Sequence, residues 1–221
     1  MFRTTDSRLL APVAAALSAL ALLGAAGAQT INWGNEVSLG DVHYDSWGNQ
    51  LDATYTYSFG VFDVGFDPVV EDPDTWFDNW TSLDSSTYNE GASFFSGSWV
   101  PEDNTYEGRQ AYIWVYNHTD STDQTTEWVL ITDSDGLDGD DWTIPTMDDQ
   151  SALPLEWRVS EATTPIFGGL ESTQGAGEYD VDPGTFELQT HTFAPPIPEP
   201  GVAILLVGGA LLGCRRRSRE R

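Results

Sequence analysis

Ala111-Tyr112-Ile113-Trp114-Val115-Tyr116 and Trp128-Val129-Leu130-Ile131-Thr132 carry apolar side chains at both odd and even positions. A strand points successive side chains to opposite faces, so a run that is apolar on both parities is a strand covered on two sides. The polar stretch of residues 117–126 joins the two runs. Together they predict an antiparallel pair at the centre of a sheet, connected by a long exposed loop. Upstream, Leu51-Asp52-Ala53-Thr54-Tyr55-Thr56-Tyr57-Ser58-Phe59 alternates, the pattern of a strand with one face on a core. The apolar parity switches after Val61 to Val64 and Phe66, which predicts a bulge or bend near Phe62-Asp63. Leu155-Glu156-Trp157-Arg158-Val159 and Phe186-Glu187-Leu188-Gln189-Thr190 alternate again.

One segment breaks the two-residue period. In residues 72–83, Trp76, Trp80 and Leu83 recur at helical spacing behind Asp72 and Pro73. An aspartate cap followed by proline at the first helical position predicts one short helix, its tryptophans closing the end of the core. Short strands separated by Gly, Pro and Asp turns then predict a mainly β fold, a β-sandwich of jelly-roll type with that single helix.

Composition narrows what such a body can do. The chain of 221 residues has a formal net charge of −26, and all nine of its bases are arginine. Seven lie near the ends; only Arg109 and Arg158 fall within residues 29–197, against 32 acids. Such a surface repels nucleic-acid phosphate and anionic headgroups and attracts divalent cations. Nine Trp, eight Tyr and ten Phe supply the apolar area that disordered chains lack. Cys214 is the only cysteine, so the body holds no disulfide.

Both ends read as addresses. Arg3 and Arg8 precede an apolar run at residues 9–23, and Ala26-Gly27-Ala28 follows with small residues where a signal peptidase cuts. This predicts a signal peptide over 1–28 and a mature chain beginning at Gln29. At the other end come Pro198-Glu199-Pro200, an apolar stretch at 201–213, and Arg215-Arg216-Arg217-Ser218-Arg219-Glu220-Arg221. The apolar stretch predicts a transmembrane helix shorter than the ~20 residues of a comfortable span. The arginines Arg215, Arg216 and Arg217 hold it as a cytoplasmic stop. Residues 194–197, Ala-Pro-Pro-Ile, form a stiff linker to an ectodomain at 29–193.

This tripartite tail, residues 198–221, resembles the PEP-CTERM sorting signal. The resemblance implies an exosortase substrate: a membrane transpeptidase recognises Pro198, Glu199 and Pro200, cuts near them and leaves the tail in the inner membrane. It also implies a Gram-negative bacterium that makes exopolysaccharide, with delivery to the cell surface or extracellular matrix. The nucleophile then belongs to the exosortase.

The body offers few candidates for chemistry. Asp133, Asp135, Asp138 and Asp140 form its densest acidic cluster, on a loop bent at Gly136 and Gly139. Hard cations such as Ca²⁺ take six to eight oxygens, which alternate carboxylates on such a loop can supply. The stretch partly resembles Asp-x-Asp-x-Asp-Gly loops but has Leu137 where a third ligand belongs; the other reading is a solvated turn. His43, His118 and His191 show no metal-ligand spacing, and no serine elbow or phosphate loop is present. Trp33, Trp47, Trp99 and Trp142 are candidate sugar-stacking platforms, with core packing as the other reading. The sequence therefore predicts a non-catalytic surface or matrix protein associated with exopolysaccharide, or a calcium-assisted carbohydrate-binding module delivered by the same route.

Overall fold

A computed structural model describes residues 29–36, 42–123, 125–136, 141–147, 153–179 and 184–192. Its strands in chain order are β1 (Ile31–Gly34), β2 (His43–Tyr44), β3 (Thr56–Phe62), β4 (Trp80–Thr87), β5 (Ser96–Trp99), β6 (Ala111–Tyr116) and β7 (Glu127–Thr132). They continue as β8 (Leu155–Arg158), β9 (Thr164–Phe167), β10 (Gly169–Leu170), β11 (Thr173–Gln174), β12 (Leu188–Gln189) and β13 (His191–Thr192). The fold is mainly β, arranged in three sheets.

The largest sheet has the order β13-β7-β6-β3-β4, and β9 pairs with β7 beyond β13. The expected central pair is its heart: β6 and β7 run antiparallel, with Ile113 opposite Ile131 and Val115 opposite Val129. Every residue of β7 is buried. Tyr57, Phe59, Val61, Ile113, Val115, Val129 and Ile131 project from one face into the main core. Burial of each such side chain contributes about 1.5–3 kcal/mol.

The opposite face carries a second, largely aromatic layer. Phe62, Trp114, Trp128 and Leu130 meet Trp76 and Phe167 there, and Phe77 stacks on Trp114 with ring centroids 4.0 Å apart. The segment supplying Trp76 and Phe77 differs from the single helix that its spacing predicts. It forms two 3₁₀ turns, Pro73–Thr75 and Phe77–Asn79. Asp72 does cap the first, its Oδ1 accepting from the Asp74 amide at 3.1 Å. The helix stops because Asn79 O accepts the Asp63 amide at 2.9 Å, which draws Trp80 into strand pairing opposite Phe62. Leu83 consequently lies in β4, not on a helix.

The bend expected near Phe62-Asp63 is present: β3 ends at Phe62, and the Phe66 amide donates to the Asp63 carbonyl at 2.9 Å to close a turn. A separate irregularity lies within the β3–β4 pair. Phe59 opposes Asp84 and Gly60 opposes Ser82, so Leu83 is the extra residue of a bulge in β4. Gly60 is needed for close approach, since a Cβ there would sit 2.6 Å from Cζ2 of Trp80.

The smaller sheets are β5-β1-β8 and β11-β10-β12-β2. In the first, β1 is antiparallel to β5 and parallel to β8. Their inward residues meet the main core: Trp33 stacks on Phe59 at 5.6 Å and Trp157 lies 5.6 Å from the same ring. Among the described residues no helix is long and apolar enough to cross a membrane, and the span expected at 201–213 lies outside them.

Candidate functional site: a polar groove on the three-stranded sheet

With Ile31, Trp33, Leu155 and Trp157 facing or packed against the core, the alternate residues of β1, β5 and β8 form the outer face of their sheet. Strand register sets them in two rows. Ser98, Asn32 and Glu156 lie side by side in one, and Ser96, Gly34 and Arg158 in the other. The rows line a groove of about 730 Å³ that extends to Asn35, Glu36 and Phe94.

The polar groups of this face are held before any ligand arrives. Asn32 Nδ2 donates to Glu156 Oε1 at 2.8 Å. The Arg158 guanidinium pairs with Glu36 and lies 3.9 Å from Glu156 Oε2. Arg109, the other arginine of the body, is engaged elsewhere: it donates to the Phe62 carbonyl and lies over Tyr106. Below the groove, Trp33 Nε1 donates to Asp84 Oδ2 at 2.8 Å. Gly97 lies so close to that indole that a Cβ would stand 2.2 Å from Nε1.

A buried polar chain runs inward from the end of the groove. Asn35 Oδ1 accepts from the Phe95 amide at 2.9 Å, and its Nδ2 donates to Ser93 O at 2.9 Å and approaches Glu187 Oε2 at 3.5 Å. The same carboxylate oxygen meets His43 Nε2 at 2.8 Å, and His43 Nδ1 meets the Tyr57 hydroxyl at 2.8 Å. Burial holds the Tyr57 phenol well above its usual range, so it stays protonated. The Tyr57 hydroxyl and the Glu187 carboxylate thus hold the two ring nitrogens of His43 from opposite sides. His43 is fully buried and packed between rings, with Tyr88 stacked at 5.0 Å. Closed to solvent, the chain is a strut under the site, with Glu187 Oε1 left without a hydrogen-bond partner among the described residues.

The four tryptophans raised by the sequence separate cleanly. Trp33 and Trp142 are 2% and 1% exposed, so the expectation that they offer stacking faces is corrected: both are core residues. Trp99 is half-buried, its ring 6.1 Å from Phe59. Trp47 is 62% exposed. A rigid turn presents it: Asp45 Oδ1 accepts from the Trp47 and Asn49 amides at 2.9 and 2.7 Å, and Asp45 Oδ2 accepts from Asn49 Nδ2 at 2.9 Å. The turn is anchored inward, where buried Glu127 accepts from the Ser46 amide at 2.9 Å and the Ser46 hydroxyl at 2.6 Å.

The acidic loop is only partly described. Asp133 is 2% exposed and turned inward, its Oδ1 accepting from the Thr163 hydroxyl at 2.7 Å. Burial makes it a structural acceptor rather than the first exposed ligand of a loop. Asp135 is exposed, and Asp141 Oδ1 closes the bend by accepting from the Gly136 amide at 2.9 Å. Asp138 and Asp140 lie outside the described residues, among which no group of three or more His, Cys, Asp or Glu side chains is placed to hold a metal.

Gln29, the residue expected to begin the mature chain, is buried, and its Nε2 donates to Leu153 O at 2.9 Å. Ala26, Ala28, Pro198, Glu199, Pro200, Arg215, Arg216 and Arg217 lie outside the described residues. Sequence reasoning missed Asn32, Ser98, Glu156 and Arg158 as a group, because β1, β5 and β8 lie far apart in the chain and meet only through tertiary pairing. The alternation of Leu155 to Val159 was the one available signal, since it marks Glu156 and Arg158 as outward. No protein-family profile, curated protein or solved structure matches this chain.

Proposed function

We propose that this chain is an exported protein of a Gram-negative cell surface or extracellular matrix, sorted by an exosortase, with a non-catalytic role in association with exopolysaccharide. The observation that carries the reading is the ordered tail: Pro198-Glu199-Pro200, the apolar stretch at 201–213 and the arginine cluster that closes the chain. Signal peptidase cuts before Gln29, the C-terminal helix tethers the ectodomain to the inner membrane, and exosortase releases it. The ectodomain is a β-sandwich of jelly-roll type, with the small sheets packed on one face of the large one. Its exposed Trp47 and its fixed polar groove support association with sugar, because an aromatic face and planar hydrogen-bonding groups are what pyranose rings and hydroxyls engage.

The test is fractionation, with mass analysis of both termini, in a host that carries an exosortase. Glu199→Ala, or replacement of Pro198 and Pro200, is expected to leave unprocessed protein in the inner membrane. Loss of Arg215 to Arg221 is expected to impair retention before processing. Surface delivery of the Glu199 and proline variants with the tail still removed would overturn the sorting reading. A secreted form still carrying residues 9–23 would overturn the signal peptide.

The second reading is a calcium-assisted carbohydrate-binding module. Exposed Asp135 on the bend at Gly136 favours it, although Asp133 points into the fold.

A further inference from the structure

We propose that the groove across β5, β1 and β8 is the saccharide-binding site of this protein, and that it takes a neutral polysaccharide chain. The inference rests on the surface-glycan reading and gives that reading a place and a ligand class.

The first argument is the chemistry of the rows. Asn32, Glu156 and Arg158 each end in a planar group with paired donors or acceptors, and Ser96 and Ser98 add hydroxyls beside them. Such groups engage adjacent hydroxyls of a sugar ring two at a time. Gly34, between Ser96 and Arg158, is buried, and a Cβ there would stand 2.5 Å from Phe95 O, so it lets β5 lie close against β1 and fixes the spacing of the row. The groups sit on strands and are already tied to one another, so little side-chain freedom is lost on binding.

The second argument is charge. The groove holds two carboxylates, Glu36 and Glu156, and the single guanidinium of Arg158, which is paired with Glu36. Around it lies a body with 32 acids and two arginines. That field repels uronate polymers, nucleic acids and anionic lipid surfaces. The third argument is the mixed lining: polar and apolar surface contribute about equally, with Trp33, Trp157 and half-buried Phe94 among the polar groups, which suits the apolar ring faces and polar rims of a sugar. A neutral polyhydroxylated chain meets all three conditions.

The experiment is titration calorimetry on the full exported protein. The probes are soluble neutral oligosaccharides (β-1,4-glucan, β-1,3-glucan and mannan fragments) and, separately, polyuronate fragments. Asn32→Ala and Glu156→Gln alter the groove, and Trp47→Ala alters the exposed turn; circular dichroism checks that each folds. The expected result is binding of at least one neutral oligosaccharide, weakened about three- to tenfold by each groove variant, as loss of one hydrogen bond implies. Neutral binding lost only in Trp47→Ala would overturn the groove and leave the surface-glycan reading standing. Binding of uronates alone would overturn the ligand class. Binding of nothing, or a concentration-dependent dimer broken by the groove variants, would overturn the proposal, and the sorting route would still be judged by fractionation.

Discussion

The indole of Trp33 donates from Nε1 to Asp84 Oδ2 at 2.8 Å, and that single carboxylate joins two sheets. The same oxygen accepts the Ser98 amide at 2.9 Å, so β4 of the large sheet holds both β1 and β5 of the small one. Asp84→Ala leaves a buried indole N–H and a strand amide without this acceptor. The expected cost is about 3 kcal/mol, with Asp84→Asn recovering part of it. Denaturant midpoints of the two variants check this. Gly97→Ala should be destabilising for a different reason, since its Cβ would collide with the same indole at 2.2 Å.

Glu127 couples the core to the exposed turn. Its buried carboxylate takes the Ser46 amide and hydroxyl and the Thr190 hydroxyl. Glu127→Ala is expected to cost about 3 kcal/mol and to loosen the turn that presents Trp47. Amide hydrogen exchange at Trp47 and Asn49 should rise well beyond the global loss of stability. Exchange at Trp47 that merely follows global stability would mean that Asp45 alone holds the turn.

His191 makes stability depend on pH in a defined direction. Its ring is buried against Tyr179 and Phe167, Nδ1 donates to Ala176 O at 3.0 Å, and Nε2 has no hydrogen-bond partner among the described residues. Burial pushes its pKa down to about 4 from 6.5. Between those values the unfolded chain binds the proton and the folded chain does not. The contribution is therefore fully present above pH 6.5 and is lost as pH falls toward 4, up to about 3 kcal/mol. A His191→Gln variant should show a shallower loss across that window than the parent chain.

Calcium makes a separable prediction. If the loop that begins at Asp133 holds the ion, chelation lowers the melting temperature, and saturation at 100 times Kd is worth about 2.7 kcal/mol. Because Asp133 is committed to Thr163, Asp135→Ala should abolish the calcium effect. Asp133→Asn should instead lower stability with and without calcium. Identical melting in calcium and in chelator would reduce the loop to a solvated turn.

Burial pattern was legible where one element could state it alone. Ala111 to Tyr116 and Trp128 to Thr132 announce a covered pair because both parities are apolar, and they pair as expected. The helical spacing of Trp76, Trp80 and Leu83 misled, because two of the three belong to a strand whose register is set by Phe62 and Asp63 from outside the segment. Strands of two residues, such as β2 and β10, set no period and left no trace, whereas the alternation from Phe186 to Thr190 marked β12. His43 and Glu187 were equally invisible as partners, being 144 residues apart and joined through a parallel pairing that only the complete fold creates. The groove was hidden for the same reason, since its rows run across strands while the sequence runs along them.

The aromatic layer on the far side of the large sheet gives the molecule an optical signature. Trp114 and Trp128 stand 5.0 Å apart at 86°, and Trp80 meets Trp114 at 5.4 Å and 89°. Indoles this close and nearly perpendicular share their electronic excitations, and a chiral arrangement of them splits the absorption into paired dichroic bands of opposite sign. Trp142 and Trp157 in the main core also lie close, at 6.1 Å, so a Trp142→Phe variant isolates the couplet of the far layer. In that variant the couplet reports on one layer of the fold, and its collapse ahead of the amide signal during unfolding would time the loosening of β4, β6 and β7 on that face.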